Sequence, residues 1–170
     1  EHFRQKVRSH LGGRAKAMVV TMSRLHAVRY MQAFERYIAE NKYTDIRPLL
    51  AFSGTVKDTD TGLEYTEPGM NTDCVSGKPI SEKQLPERFA SPDYQVLLVA
   101  NKYQTGFDQP LLCAMYVDKR LDGVPVYYKD GKEEEFFIRA GASTAALPPS
   151  EMSVYIKKDL VDGSSLGLPP

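Results

Sequence analysis

Two cysteines and three histidines in 170 residues leave little for redox or metal chemistry. Cys74 and Cys113 cannot build a disulfide framework, and with only His2, His10 and His26 no spacing suits a zinc ion. A reducing cytoplasm is the compartment this implies. Long hydrophobic runs are also missing: Val96 to Ala100 and Leu111 to Val117 are far shorter than the roughly 18 residues that cross a bilayer, so a soluble protein with no membrane partner is expected. The chain opens on Glu1, His2, Phe3 and Arg4 with no signal-peptide layout, and reads as an internal piece of a longer protein or a processed chain. Net charge is zero, with 22 basic and 22 acidic residues, which argues against nucleic-acid binding by bulk charge. The distribution is uneven. Residues 1–43 carry nine Lys/Arg against three Asp/Glu, so the first third could face phosphates, or could equally be a solvated helix surface.

Catalytic signatures are absent as well. Gly12-Gly13-Arg14 and Ser76-Gly77-Lys78-Pro79 both fail the spacing of a phosphate loop, and there is no G-x-S-x-G elbow. Cys113 lies inside an apolar run, where a structural thiol is the simpler reading. Glu133, Glu134 and Glu135 read as the solvated side of a hairpin, and Asp58 with Asp60 as loop solubility.

What is present is an alternation of short apolar runs and one amphipathic stretch. Lys16 to Met22 is β-branched and apolar, the pattern of a strand buried on both faces. Ser23 stands where a helix N-cap belongs, and Leu25, Val28, Met31 and Ile38 then mark a helix to about Asn41. Leu49 to Phe52 is a second strand, so the order strand, helix, strand predicts a parallel sheet. Residues 55–80 are polar and glycine-containing, and are expected to form an exposed insertion or a mobile loop, with a long mobile segment predicted between Gly54 and Ser81. Ser81 and Gln84 resemble a capping box ahead of a short helix near 82–91, and Tyr94 to Ala100 and Leu111 to Val117 are further buried strands. After Gly123 the character changes. Val126 to Tyr128 and Glu135 to Ile138 flank Asp130-Gly131, a tight-turn signal, and a helix is expected from about Ser150 to Lys158.

The segment most suggestive of function is VANKYQTGFDQP, Val99 to Pro110. It places Asn101, Thr105 and Gly106 where a buried strand opens at the carboxyl edge of a parallel sheet, the edge at which α/β proteins bind ligands. Thr105 could hydrogen-bond a phosphate, Gly106 lets backbone N–H groups approach one, and Asp108 could accept from a ribose hydroxyl or an arginine. A plain turn between strands fits the composition too.

KAMVVTMSRLHAVRY, LLAFSG and VLLVANKYQTGFDQPLLCAMYVDKRL resemble the second RecA-like domain of the restriction subunit of type I restriction-modification enzymes, within helicase superfamily 2. The resemblance covers residues 1–123. It implies an α/β, three-layer RecA-like core with a mainly parallel sheet, in which Val20 to Arg24 resembles motif IV and Gln104 to Pro110 motif V. By resemblance, Thr105 and Gly106, with Asn101, contact the DNA sugar-phosphate backbone, Ser23, Arg24, Ser53 and Gly54 lie along the same DNA edge, and Asp108 faces the nucleotide cleft. Neither the lobe bearing the phosphate loop and magnesium ligands nor the arginines of motif VI is present in this sequence. ATP and Mg would belong to the intact parent alone, this chain by itself is expected to be catalytically inactive, and its partners would be duplex DNA and, through the parent, the modification and specificity subunits. Residues 124–160 are expected to form a small β-hairpin plus helix, with 161–170 a flexible tail; Asp130 to Ile156 weakly resembles a Schlafen/AlbA-like segment of bacterial defence proteins. A truncated DNA-translocase lobe is the first reading, and a non-enzymatic nucleic-acid or protein interaction module the other.

Overall fold

A computed structural model describes residues 1–103 and 107–119 in full, and the backbone of three later strands. A π-helical turn over Phe3–Val7 and a kinked segment, α1 (His10–Gly13), lead into β1 (Lys16–Thr21). All six residues of β1 are buried, as its apolar and β-branched composition demands. Ser23 caps α2 (Arg24–Glu40) by accepting a hydrogen bond from the His26 backbone N–H at 3.1 Å, and Ala27, Val28 and Met31 form the buried face. β2 (Pro48–Ala51) follows, then β3 (Thr55–Lys57), β4 (Glu64–Thr66), α3 (Glu67–Met70) and α4 (Leu85–Ala90). β5 (Val96–Val99) and β6 (Leu112–Asp118) complete the core, and β7 (Val126–Lys129), β8 (Thr144–Leu147) and β9 (Ser153–Ile156) lie beyond it.

The main sheet has the order β2-β5-β1-β6-β9 with every neighbouring pair parallel, in register Met18↔Leu97, Met18↔Met115 and Leu50↔Leu98. Alternation along the strands feeds two cores. Ala17, Val19, Leu50, Val96 and Leu98 face α2, whereas Met18, Val20, Leu49, Leu97 and Val99 face Leu85 and Phe89 of α4. With helices on both faces and apolar residues on both sides of each strand, the fold is α/β in three layers, as expected.

Three expectations are corrected. Residues 55–80 were expected to be mobile, but they fold: β3 and β4 form an antiparallel hairpin with Val56↔Tyr65, Thr72 bridges to Pro79, and Asp58, Glu67, Asn71, Asp73 and Ile80 are buried. The composition misleads because this segment is ordered by hydrogen-bonded polar groups more than by apolar burial. Asp58 and Asp60 serve as more than solubilising charges, since both accept from Arg29 Nη2 of α2, at 3.0 and 2.6 Å. The helix expected up to Lys158 is replaced by β9, whose β-branched and aromatic sequence, Ser-Val-Tyr-Ile, pairs with the otherwise open edge of β6. Val126 to Tyr128 forms a strand as expected, and β7 pairs in parallel with β8. The Asp130-Gly131 turn, the return strand Glu135 to Ile138 and the acidic run Glu133 to Glu135 lie outside the described residues.

Candidate nucleic-acid interface at the carboxyl edge of the sheet

Because the central strands are parallel, the carboxyl ends of β1, β2, β5 and β6 share one edge. The chain leaves β1 through α2 toward β2 on one side, and leaves β5 toward β6 on the other, crossing β1. Adjacent strands β1 and β5 therefore send their connections in opposite directions, and it is at such a point of an α/β sheet that ligands generally bind. Thr21 holds the two strand ends together, its hydroxyl donating within reach of Val99 O at 3.0 Å and Ser23 O at 3.1 Å.

Four of the sequence-selected residues, Ser23, Arg24, Ser53 and Gly54, meet at this edge. Arg24 Nη1 donates to the carbonyls of Ser53 and Thr55, both at 3.1 Å, and so clamps the first turn of α2 to the turn after β2. Gly54 sits inside that clamp with φ of 75°, and a Cβ there would come within 3.3 Å of Arg24 Nη1. Ser23 is occupied as the N-cap and by the His26 ring, 2.7 Å away. Asn101 is exposed at the end of β5 and accepts from Lys119 Nζ of the β6 end at 3.3 Å. Thr105 and Gly106 lie outside the described residues. Asp108 is exposed and follows Phe107, which stacks on Phe89 of α4 and packs against Tyr103.

Sequence reasoning missed Glu67 and Lys102. The Glu67 side chain is fully buried, its Oε2 accepting from the Phe52 backbone N–H and from Lys102 Nζ, both at 2.8 Å. Burial pushes the Glu67 carboxyl above its ordinary value, against the pull of Lys102. Burial alone would depress Lys102, yet the contacts with Glu67 and Glu82 together outweigh it and hold the ammonium above its ordinary value. Lys102 stood within the NKYQTGFD string, but nothing in the sequence named its partner 35 positions away. The two Asp-turns, Asp58 to Gly62 and Asp73 to Gly77, share a D-x-x-x-G spacing that does carry a signal: in each, the glycine N–H donates to the aspartate carbonyl at 2.8 Å, with positive φ at Gly62 and Gly77.

The basic N-terminal third is largely committed internally. Arg4 and Arg8 pair with Asp45, Arg29 with Asp58 and Asp60, and Lys16 is buried. A diffuse cationic face is therefore a poorer description of this region than a few placed groups at the edge. Cys113 is buried and donates to Leu111 O at 3.4 Å, in keeping with a structural thiol. Among the described residues no group of three His, Cys, Asp or Glu could hold a metal ion, and the turn between β1 and α2 has no glycine with which to cradle a phosphate chain. No helix among them is long and apolar enough to cross a membrane.

No family model matches the chain. Over 114 residues, 64% of its length, it is 28% identical to a Methanocaldococcus jannaschii protein named "Putative type I restriction enzyme MjaVIIP endonuclease subunit". This supports a relationship to type I restriction enzymes. The matched stretch is 10% of that relative's length.

Proposed function

We propose that the chain is part of the DNA-handling motor lobe of a type I restriction endonuclease subunit, a RecA-like half that makes sequence-independent contacts to the duplex backbone. The observation that carries this reading is the placement of Ser23, Arg24, Ser53, Gly54 and Asn101 on one carboxyl edge, where β1 and β5 send their connections in opposite directions. The similarity to an endonuclease subunit supplies the class of partner. Arg24, exposed and already oriented by two carbonyls, presents its outer N–H groups to a phosphate, and the close packing at Gly54 keeps that turn free of side-chain bulk. Thr105 and Gly106 extend the contact by the motif V resemblance, and Asp108 belongs to the nucleotide side of the intact enzyme. ATP, Mg and the translocation step belong to the intact parent, with its modification and specificity subunits; the isolated chain binds DNA without turnover.

The test is fluorescence anisotropy of the 170-residue chain on random-sequence duplexes at two salt concentrations. Binding should be similar across sequences and fall several-fold to about tenfold per doubling of salt if several phosphates are contacted. Arg24→Ala and Gly106→Val should each weaken it by about threefold to tenfold with the fold intact, since each removes or blocks a backbone contact. Equal affinity in all three proteins, or indifference to salt, overturns the DNA-edge assignment. The second reading, an interaction module, draws on an apolar cavity of about 400 Å3 on the α2 face, lined by Phe3, Tyr30, Phe34, Ile38, Val96 and Tyr116. Retained protein association without salt-dependent DNA affinity would favour it.

A further inference from the structure

The loop after β5 is held in an unusual backbone conformation by a residue distant in sequence. Asn101 and Tyr103 have φ of 55° and 60°, in the left-handed region that non-glycine residues seldom occupy, and Lys102 lies between them. A loop takes up such a conformation only when its surroundings impose it. Here the surroundings are specific. Lys102 Nζ lies 2.8 and 3.1 Å from the two Glu67 oxygens and 3.2 Å from Glu82 Oε2, while the Tyr103 ring packs 4.5 Å from Phe107. Glu67 is in turn fixed by the Phe52 N–H at the end of β2, and the first turn of its helix is capped by the Thr66 hydroxyl, which accepts from Gly69 N–H at 3.2 Å.

We propose that Glu67 is a positioning residue for the candidate DNA edge: through Lys102 it fixes the backbone of Asn101 to Tyr103, and so couples the folded segment 55–80 to the loop that leaves β5. The coupling stands on the geometry above; its consequence for DNA rests on the reading given under Proposed function. A buried carboxylate with one backbone donor and one ammonium donor is the arrangement that makes a lysine a fixed strut instead of a mobile surface charge. Lys102 is then a strut that shapes the loop, and its charge is spent on Glu67 and Glu82, not on a phosphate.

Two readouts on the 170-residue chain separate the coupling from the DNA reading. Glu67→Gln keeps the shape and an acceptor for Phe52 N–H while removing the ion pair. Amide exchange at Lys102 and Tyr103 should quicken about tenfold or more with Leu97 and Leu98 of β5 unchanged, because only local opening is affected. Trypsin should likewise cut after Lys102 faster. Lys102→Met should quicken exchange at Tyr103 in the same way, and it carries the exchange test if Glu67→Gln does not fold. On random-sequence duplex, both variants should bind about threefold or more weakly, and the double variant no more weakly than the weaker single, as expected of residues acting as one unit. Unchanged exchange and cleavage overturn the proposal. Tighter DNA binding by Glu67→Gln also overturns it, since Lys102 would then be a phosphate contact that Glu67 restrains. If the unmutated chain shows no salt-dependent binding, the DNA reading fails and the exchange and cleavage results alone decide the coupling.

Discussion

Leu50, in the edge strand β2, has both of its backbone groups taken by one side chain. Its N–H donates to Asn71 Oδ1 at 2.8 Å and its carbonyl accepts from Asn71 Nδ2 at 2.7 Å, so the amide imitates the hydrogen bonding of a further strand and closes the edge to pairing with another chain. Asn71 Nδ2 also reaches Glu67 O at 2.9 Å. Asn71→Ala would leave three buried backbone groups to be satisfied, and should cost about 2–4 kcal/mol in urea unfolding. A second residue of this kind is Lys16, buried at the start of β1 with its ammonium donating to Tyr94 O at 2.5 Å and Ser91 O at 2.7 Å. Burial lowers its pKa from 10.5 to about 8, with Asp93 opposing. Between those values the unfolded chain holds a proton that the folded chain has released, so stability rises with pH across that window. The gain should be about 1–3 kcal/mol by urea unfolding and should be absent in Lys16→Met. Burial also raises Tyr30 and Tyr94 to about 12, helped by Asp118 and Cys74, so above pH 10 the unfolded chain loses these protons first and stability falls again.

At the scale of elements, the segment between β2 and β5 is organised by two aspartate turns, each fastened to a helix by an arginine. Asp58 accepts from the Asp60 N–H and pairs with Arg29 of α2 at 3.0 Å; Asp73 accepts from the N–H groups of Val75 and Ser76 and pairs with Arg88 of α4 at 2.8 Å. The Arg29 hydrogen bond is the main cause that holds Asp58 below the ordinary carboxyl value, and the Ser76 and Val75 amides hold Asp73 there. For groups depressed in the folded state, the stabilising contribution is complete above the ordinary value of 3.8 and is lost as pH falls through the folded value. Protection against hydrogen exchange at residues 58–62 and 73–77, taken relative to the intrinsic rate at each pH, should thus be high at pH 5 and fall below about pH 4, ahead of the sheet amides. Simultaneous loosening of β1 and β5 would show that the turns do not open independently.

For the molecule as a whole, the apolar strands settle the architecture. The runs at 16–22, 49–52, 94–100 and 111–117 could only be buried on both faces, and with one amphipathic helix between the first two they specify a parallel, three-layer α/β core before any tertiary contact is known. Ser23 as a helix cap was legible for the same reason, because capping is a local hydrogen bond between residues three apart. So was the edge on which Arg24, Gly54 and Asn101 lie, since strand ends in a parallel sheet share a side. The partners of those residues were not. Arg24 with the Ser53 carbonyl, Lys119 with Asn101, and Lys102 with Glu67 are separated by 29, 18 and 35 positions, and no periodicity links them. The segment 55–80 was misread because composition weighs apolar area, whereas its order comes from buried Asp58, Glu67, Asn71 and Asp73, whose stability depends on whether a partner stands within hydrogen-bonding distance. Local patterning determined the layers, the strand directions and the edge; only the tertiary structure decided which polar groups meet there, because a hydrogen bond between distant residues depends on a distance that the fold sets.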